Sequence, residues 1–147
     1  MRIAWRLSVL ALALGCDPVS MLPGGALSGT VAPAPADWSF TDSVKTVQLE
    51  TRPDDPYSVN VWGVAARGGF YVASGRGESN TWAKHLLADP RVRLRVNEDL
   101  YELRAVRTDD PAERDAFLEA AHRKYDFEVE DDQRTEAILF RLEPRVR

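Results

Sequence analysis

The chain has 147 residues, 44% hydrophobic and 29% charged, which suits one globular domain with some additional chain and excludes a multidomain assembly. Lys and Arg total 19 against 23 Asp and Glu, a net charge of −4, so no nucleic-acid partner is expected. A single cysteine, Cys16, excludes an intramolecular disulfide, and with His85 and His122 far apart no metal site is predicted.

Residues 1–16, MRIAWRLSVLALALGC, set Arg2 and Arg6 ahead of the apolar run Leu7 to Leu14 and end on Gly15 and Cys16. This is the layout of an export signal. A permanent membrane span needs about 20 apolar residues, and Asp17 and Pro18 interrupt this run well before that. Ala13-Leu14-Gly15-Cys16 resembles the lipidation motif of bacterial lipoproteins, an aliphatic residue and two small ones before Cys, with Ala13 where Leu is most frequent. The resemblance implies a signal peptide over 1–16, a diacylglycerol thioether and an acyl chain on Cys16, and a membrane-anchored protein exported to the bacterial cell envelope. A plain secretory signal cut elsewhere and a buried free cysteine are the alternatives. Residues 17–36 hold Pro18, Pro23, Gly24, Gly25, Gly29 and the run Ala-Pro-Ala-Pro-Ala, a composition that predicts a flexible tether standing the domain off the bilayer.

The domain is expected over 37–147. Val47 and Leu49 alternate with polar neighbours in Thr46 to Thr51, a first strand. Pro53 to Pro56 turn the chain into Tyr57 to Ala66, a strand apolar at most positions and so expected to be covered on both faces. Arg67-Gly68-Gly69 predicts a tight hairpin into Phe70 to Ser74. After the loop Ser74 to Ser79, the spacing of Trp82, Ala83, Leu86 and Leu87 predicts a short helix with Ser79 as N-cap, ended by Asp89-Pro90. Arg91 to Val96 alternates strictly, with Val92, Leu94 and Val96 facing a core and the three arginines outward. The acidic loop Glu128 to Asp132 or a partner chain is expected to relieve the repulsion between those arginines. Asn97 to Asp99 turn into Leu100 to Arg107. Asp110-Pro111-Ala112-Glu113 opens a helix running to about Tyr125, with Phe117, Leu118, Ala121 and Tyr125 buried. Ala137 to Glu143 is the last strand. Six strands with two short helices make a mostly β, α+β domain, a small closed barrel with helical insertions.

Phe70-Tyr71-Val72-Ala73-Ser74, a Gly/Ser/Arg loop, and Trp82 through Leu94 resemble the split β-barrel proteins related to pyridoxamine 5'-phosphate oxidase and the deazaflavin-dependent nitroreductases. The resemblance covers the whole predicted domain. It implies a six-stranded split β-barrel, a homodimer, and FMN or a deazaflavin in a groove between subunits, with oxidoreductase chemistry carried by the cofactor. By position, Ser74 and Ser79 match family hydroxyls near the cofactor phosphate, Lys84 sits near a family base, and Trp82 matches the Trp of the nitroreductase branch. The sequence departs from FMN-binding members in two places. The second strand reads Ser58-Val59-Asn60-Val61-Trp62 with no base, and Glu78 puts a carboxylate into the loop.

The residues themselves agree with a phosphate site: a Gly-flanked loop opening onto a helix N-terminus offers N–H donors and a favourable dipole, and Arg76 adds a charge. The candidate cofactor-binding residues are therefore Asn60, Ser74, Arg76, Ser79, Thr81, Trp82 and Lys84. Five of these have a plainer alternative: helix capping for Ser79 and Thr81, core packing for Trp82, a solvated position for Lys84, and an ion pair with Glu78 for Arg76. Asn60 is a candidate because a buried amide on an apolar strand needs a partner. His85 and His122 are expected in surface or capping roles. No nucleophile motif, paired acids or Walker loop is present, so no catalytic side chain is predicted. A cofactor-free module that binds a small ligand or an envelope partner in the same groove is the second hypothesis.

Overall fold

The structure is a computed structural model that describes Pro18, residues 21–126 and residues 136–146. The leader with Cys16 and the acidic loop at 128–132 lie outside the described residues. The strands are β1 (Thr30–Val31), β2 (Val47–Thr51), β3 (Tyr57–Val61), β4 (Gly63–Ala66), β5 (Gly69–Ser74), β6 (Arg91–Val96), β7 (Asp99–Thr108) and β8 (Ile138–Pro144). They form one sheet in the order β3-β2-β6-β7-β8-β5-β4, antiparallel throughout, and β1 adds to β7 in parallel.

All six predicted strands are present, with one difference. The segment Tyr57 to Ala66 is broken at Trp62 into β3 and β4, which take opposite ends of the hydrogen-bonded order. Two consecutive pieces of chain can flank a sheet in this way only if it curls round until its ends approach. The bend follows from packing at Gly63. A Cβ there would lie 2.3 Å from the Phe70 ring, so only glycine lets the backbone pass over the fully buried phenyl. The Arg67-Gly68 hairpin forms as expected, both residues having positive φ, 52° and 78°, as a type I′ turn requires.

Val47, Leu49, Val92, Leu94, Val96 and Leu103 point inward with Phe70, Val72 and Phe140. Trp38, 3% exposed, joins this core edge-on to Tyr101. Helix α1 (Thr81–Ala88) inserts Trp82, Ala83 and Leu86 into it, while Leu87 is turned to solvent. Helix α2 (Pro111–Tyr125) starts as predicted, with the Asp110 carboxylate accepting the Ala112 N–H at 2.9 Å and Pro111 in its first turn. It covers the outer face of β4, β5 and β8, packing Phe117, Ala120, Ala121 and Tyr125 on Val64, Tyr71 and Leu139.

Glu113 fastens that helix. Its carboxylate accepts from Thr108 Oγ1, Arg141 Nη1 and, at 2.9 Å, the Tyr71 hydroxyl. Hydrogen bonding from Thr108, then Arg141 and Tyr71, outweighs desolvation and holds its pKa down at about 2.

One expectation is corrected. The segment read as a flexible tether is, from Met21 on, part of the fold. Gly24 and Ser58 exchange backbone hydrogen bonds of 2.8 and 2.9 Å along β3, and Thr30 and Ala32 donate to Glu98 and Leu100 carbonyls on the β7 side. Leu27, 4% exposed, is clamped through its backbone: its N–H donates to Glu50 Oε2 at 2.6 Å and its carbonyl accepts Arg93 Nη2 at 2.7 Å. Arg93 and Glu50 complete a bidentate pair at 2.9 Å, with Glu50 3% exposed. The ordering comes from backbone bonding and one apolar anchor, neither of which composition reveals. The loop at 128–132, expected to face the arginines of β6, lies outside the described residues, but those arginines have other partners. Arg91 pairs with Asp89 and Asp54, Arg93 with Glu50 and Arg95 with Glu98, so nearby carboxylates among the described residues neutralise the ladder.

Replacing Gly63 with Ala is expected to cost about 1–3 kcal/mol through overpacking against Phe70, read as a lower urea midpoint at unchanged slope. For Glu113 the folded pKa lies below the ordinary value of 4.5, so its contribution is present above about 4.5 and lost as pH falls toward about 2. Wild type is expected to lose stability across that window in denaturant titrations at stepped pH. Glu113→Gln should be less stable at neutral pH and show a shallower acid limb.

Candidate functional site

Between β5 and α1 the chain runs Gly75-Arg76-Gly77-Glu78-Ser79-Asn80, with a 3-10 turn over Gly77–Ser79. Internal bonds fix its shape. The Ser74 hydroxyl, fully buried, donates to the Gly77 carbonyl at 2.6 Å and accepts from Asn80 Nδ2 at 2.7 Å. Gly77 has φ +55°, and a Cβ there would lie 2.6 Å from the Glu136 carbonyl oxygen, so the loop is seated against the chain leading into β8.

The helix begins one residue later than the sequence suggests. Asn80, not Ser79, is the N-cap, and its side chain is spent on Ser74 rather than on the helix end. The Asn80 carbonyl accepts from Ala83 and Lys84 at 3.1 and 3.3 Å. The N–H groups of Thr81 and Trp82 have no acceptor among the described residues. Around this end, Arg76, Glu78, Ser79, Thr81 and Lys84 are all exposed. Arg76 and Glu78 form no ion pair with each other, so the loop and the first turn of α1 together present two separate cations, one carboxylate and two hydroxyls beside open backbone donors.

The structure thus brings Ser74, Arg76, Ser79, Thr81 and Lys84 to one segment, with Ser74 buried beneath it. Trp82 projects the other way, 8% exposed, its ring 6.0 Å from that of Phe140 in the core. Asn60 lies on the outer face of β3, where its amide donates to the Pro18 carbonyl at 3.5 Å. Asn80 and Gly77 were not singled out in the sequence. The Asn before a helical stripe was a legible signal for the first, whereas the second depends on a tertiary neighbour.

His85 ties this helix to the barrel. Its Nδ1 is 2.8 Å from Thr51 Oγ1, and its ring stands edge-on to Tyr57 at 5.0 Å. Burial, reinforced by the charge of Arg52, lowers its pKa from the usual value. No grouping of His, Cys, Asp and Glu that could hold a metal occurs among the described residues, and no helix among them is long and apolar enough to cross a membrane.

No protein-family model matches the sequence, and no curated protein does. Solved structures do. The heme storage protein HutZ from Vibrio cholerae aligns with a TM-score of 0.58 and 17% identity over 73% of this chain and 86% of its own. A protein from Listeria innocua assigned as a pyridoxamine 5'-phosphate oxidase gives 0.55 and 14%, over 69% and 85%. An F420 reductase gives 0.51 and 18%, over 77% and 96%. At these identities the likeness is one of fold: the domain is a split β-barrel, mostly β, with two helices.

Ser74→Ala would strand the Asn80 amide and the Gly77 carbonyl together. A loss of about 1–3 kcal/mol is expected, with faster amide hydrogen exchange confined to the loop and the first turn of α1.

Proposed function

We propose that this chain is a lipoprotein, exported to the bacterial cell envelope and held to the membrane at Cys16, whose split barrel binds a flavin or deazaflavin and works as a homodimer. The observation that carries the cofactor reading is the N-terminal end of α1, where the N–H groups of Thr81 and Trp82 stand open beside exposed Arg76, Ser79, Thr81 and Lys84. That donor set fits a phosphate group: backbone N–H groups and two hydroxyls as donors, the helix dipole, and cations on either side. In this arrangement Ser74 and Asn80 hold the loop open while Trp82 fixes the helix in the core. Neighbours of the same fold include an F420 reductase and an assigned pyridoxamine 5'-phosphate oxidase, which supports a redox cofactor.

A bound flavin or deazaflavin ring supplies hydride transfer, so no side chain of this chain needs to react. The protein's part is to grip the phosphate and place the ring against the barrel. Glu78 favours a second reading. An exposed carboxylate within the loop opposes a dianionic phosphate, as expected of a cofactor-free barrel that binds a different small ligand in the same groove.

Titration of the purified full-length protein with FMN and with a deazaflavin coenzyme, followed by absorption and ring fluorescence, tests the reading. Saturable binding of one of them is expected, weakened about 10- to 100-fold by Arg76→Ala if that cation makes a charge-assisted bond. No binding of either at tens of micromolar would overturn it and leave the cofactor-free barrel.

A further inference from the structure

The end of α1 away from the open donors is held by a small set of polar groups. His85, in the last turn of α1, places Nδ1 2.8 Å from Thr51 Oγ1, and that hydroxyl also lies 3.3 Å from the Tyr57 carbonyl. The His85 and Tyr57 rings meet at 5.0 Å and 89°. Arg52 reaches the same aromatic, its guanidinium carbon standing over the Tyr57 ring 6.0 Å from the centroid. One tyrosine is therefore shared by an imidazole from α1 and a guanidinium from the turn that joins β2 to β3. Arg52 is the more loosely held of the two. Its backbone is left-handed, φ 53°, which a residue with a Cβ seldom adopts. Its buried Nε has no hydrogen-bond partner among the described residues, and its ion pair with Asp55, 3.1 Å long, is exposed at both ends. The turn itself is closed by the Asp55 N–H, which donates to the Arg52 carbonyl at 2.9 Å.

We infer that His85 and Arg52 form a proton-operated latch between α1 and the β2–β3 turn, closed while His85 is neutral and opened when it takes up a proton. In an imidazolium both ring nitrogens are donors. Thr51 accommodates that, accepting from Nδ1 while its own proton turns to the Tyr57 carbonyl, so the contact with β2 survives. The added charge is not accommodated. Burial deprives it of water, and Arg52 opposes it across Tyr57. Nearby carboxylates are already engaged, Asp55 with Arg52 and both Asp54 and Asp89 with Arg91, and the exposed neighbour on α1, Lys84, is a further cation. Arg52 is the group that can leave, and with it the turn is released from Tyr57. Burial, then Arg52, holds the His85 pKa below its usual 6.5, and Asp55 offsets this only in part. The closed form is therefore favoured above about 6.5 and loses ground as pH falls below it. Because α1 begins at Thr81, an opened latch also loosens the proposed phosphate grip; that consequence rests on the cofactor reading, whereas the latch does not.

Isotope-labelled full-length protein, titrated from about pH 7.5 to about 4.5 by NMR, tests the latch above the acid window of Glu113. The His85 ring signals are assigned by comparison with His122→Gln, and amide exchange protection is followed beside the urea midpoint. His85 is expected to titrate below 6.5, with protection at Asp55 and the first turn of β3 falling about 5- to 10-fold through the same midpoint while the urea midpoint moves less. Arg52→Gln should raise that midpoint toward 6.5, and His85→Gln should make protection of the turn independent of pH over the range. A His85 that stays neutral throughout, that titrates without a change in the turn, or whose midpoint ignores Arg52→Gln would overturn the latch. So would a loss of protection spread evenly over the whole domain in step with the urea midpoint. Affinity for FMN or a deazaflavin coenzyme, measured in the same series, should fall with the His85 midpoint in wild type and hold steady in His85→Gln. No binding of either at any pH overturns the link to the grip, while the exchange data decide the latch by themselves.

Discussion

The bend at Trp62 and Gly63 is the constraint on which the rest of the structure depends. β3 and β4 are one stretch of chain divided between the two ends of the sheet, so the break determines where the curled sheet approaches itself. The core inward of that line, from Leu49 to Phe140, is mostly apolar, and Phe70 presses on the backbone at the bend. The bend is also where α2 is attached from outside. The Tyr125 hydroxyl is bonded to both backbone groups of Gly63, at 3.2 and 3.0 Å, and Lys124 donates to the Gly63 carbonyl at 2.7 Å. A residue without a side chain is thus gripped from the core by a phenyl ring and from the surface by a helix.

Two buried carboxylates do comparable work on opposite outer faces of the barrel. Glu113 fastens α2, and Glu50, with Arg93, fastens the N-terminal strap. In each case a glutamate is paired with an arginine from a strand and completes its bonding with other donors, which is what makes a buried charge tolerable. The pairs also choose partners. Leu27 alone could slide along an apolar surface, whereas its backbone N–H and carbonyl fit the Glu50–Arg93 fork in one register.

Most of the fold was legible because its core obeys a period of two. Val92, Leu94 and Val96 and their counterparts on β2 announced inward faces, and Asp110-Pro111 announced a helix start. What was hidden depended on neighbours remote in sequence. Nothing local distinguishes the outward Glu50 and Arg93 from solvated residues, and nothing in the Pro- and Gly-rich segment shows that its amides meet β3 and β7. The candidate site was half legible. Arg76, Ser79, Thr81 and Lys84 share an exposed segment as the sequence suggested, but the N-cap moved to Asn80 because its amide is held by Ser74. Trp82 followed the helical stripe into the core, and Asn60 met the strap.

The strap's pairing with β3 bears on how the open edge of the sheet is kept from pairing with other strands. A strand at the end of a sheet offers unpaired backbone groups to any passing chain, and such edges seed aggregation unless they are covered. Gly24 occupies the Ser58 positions on that edge, and the Ser58 side chain beneath is fully buried. A chain trimmed to its compositionally obvious domain, beginning near residue 37, would keep the hydrophobic core but lose this cover, baring the β3 ladder and the Glu50–Arg93 fork together. The low-complexity look of the segment conceals a guard against edge-to-edge self-association.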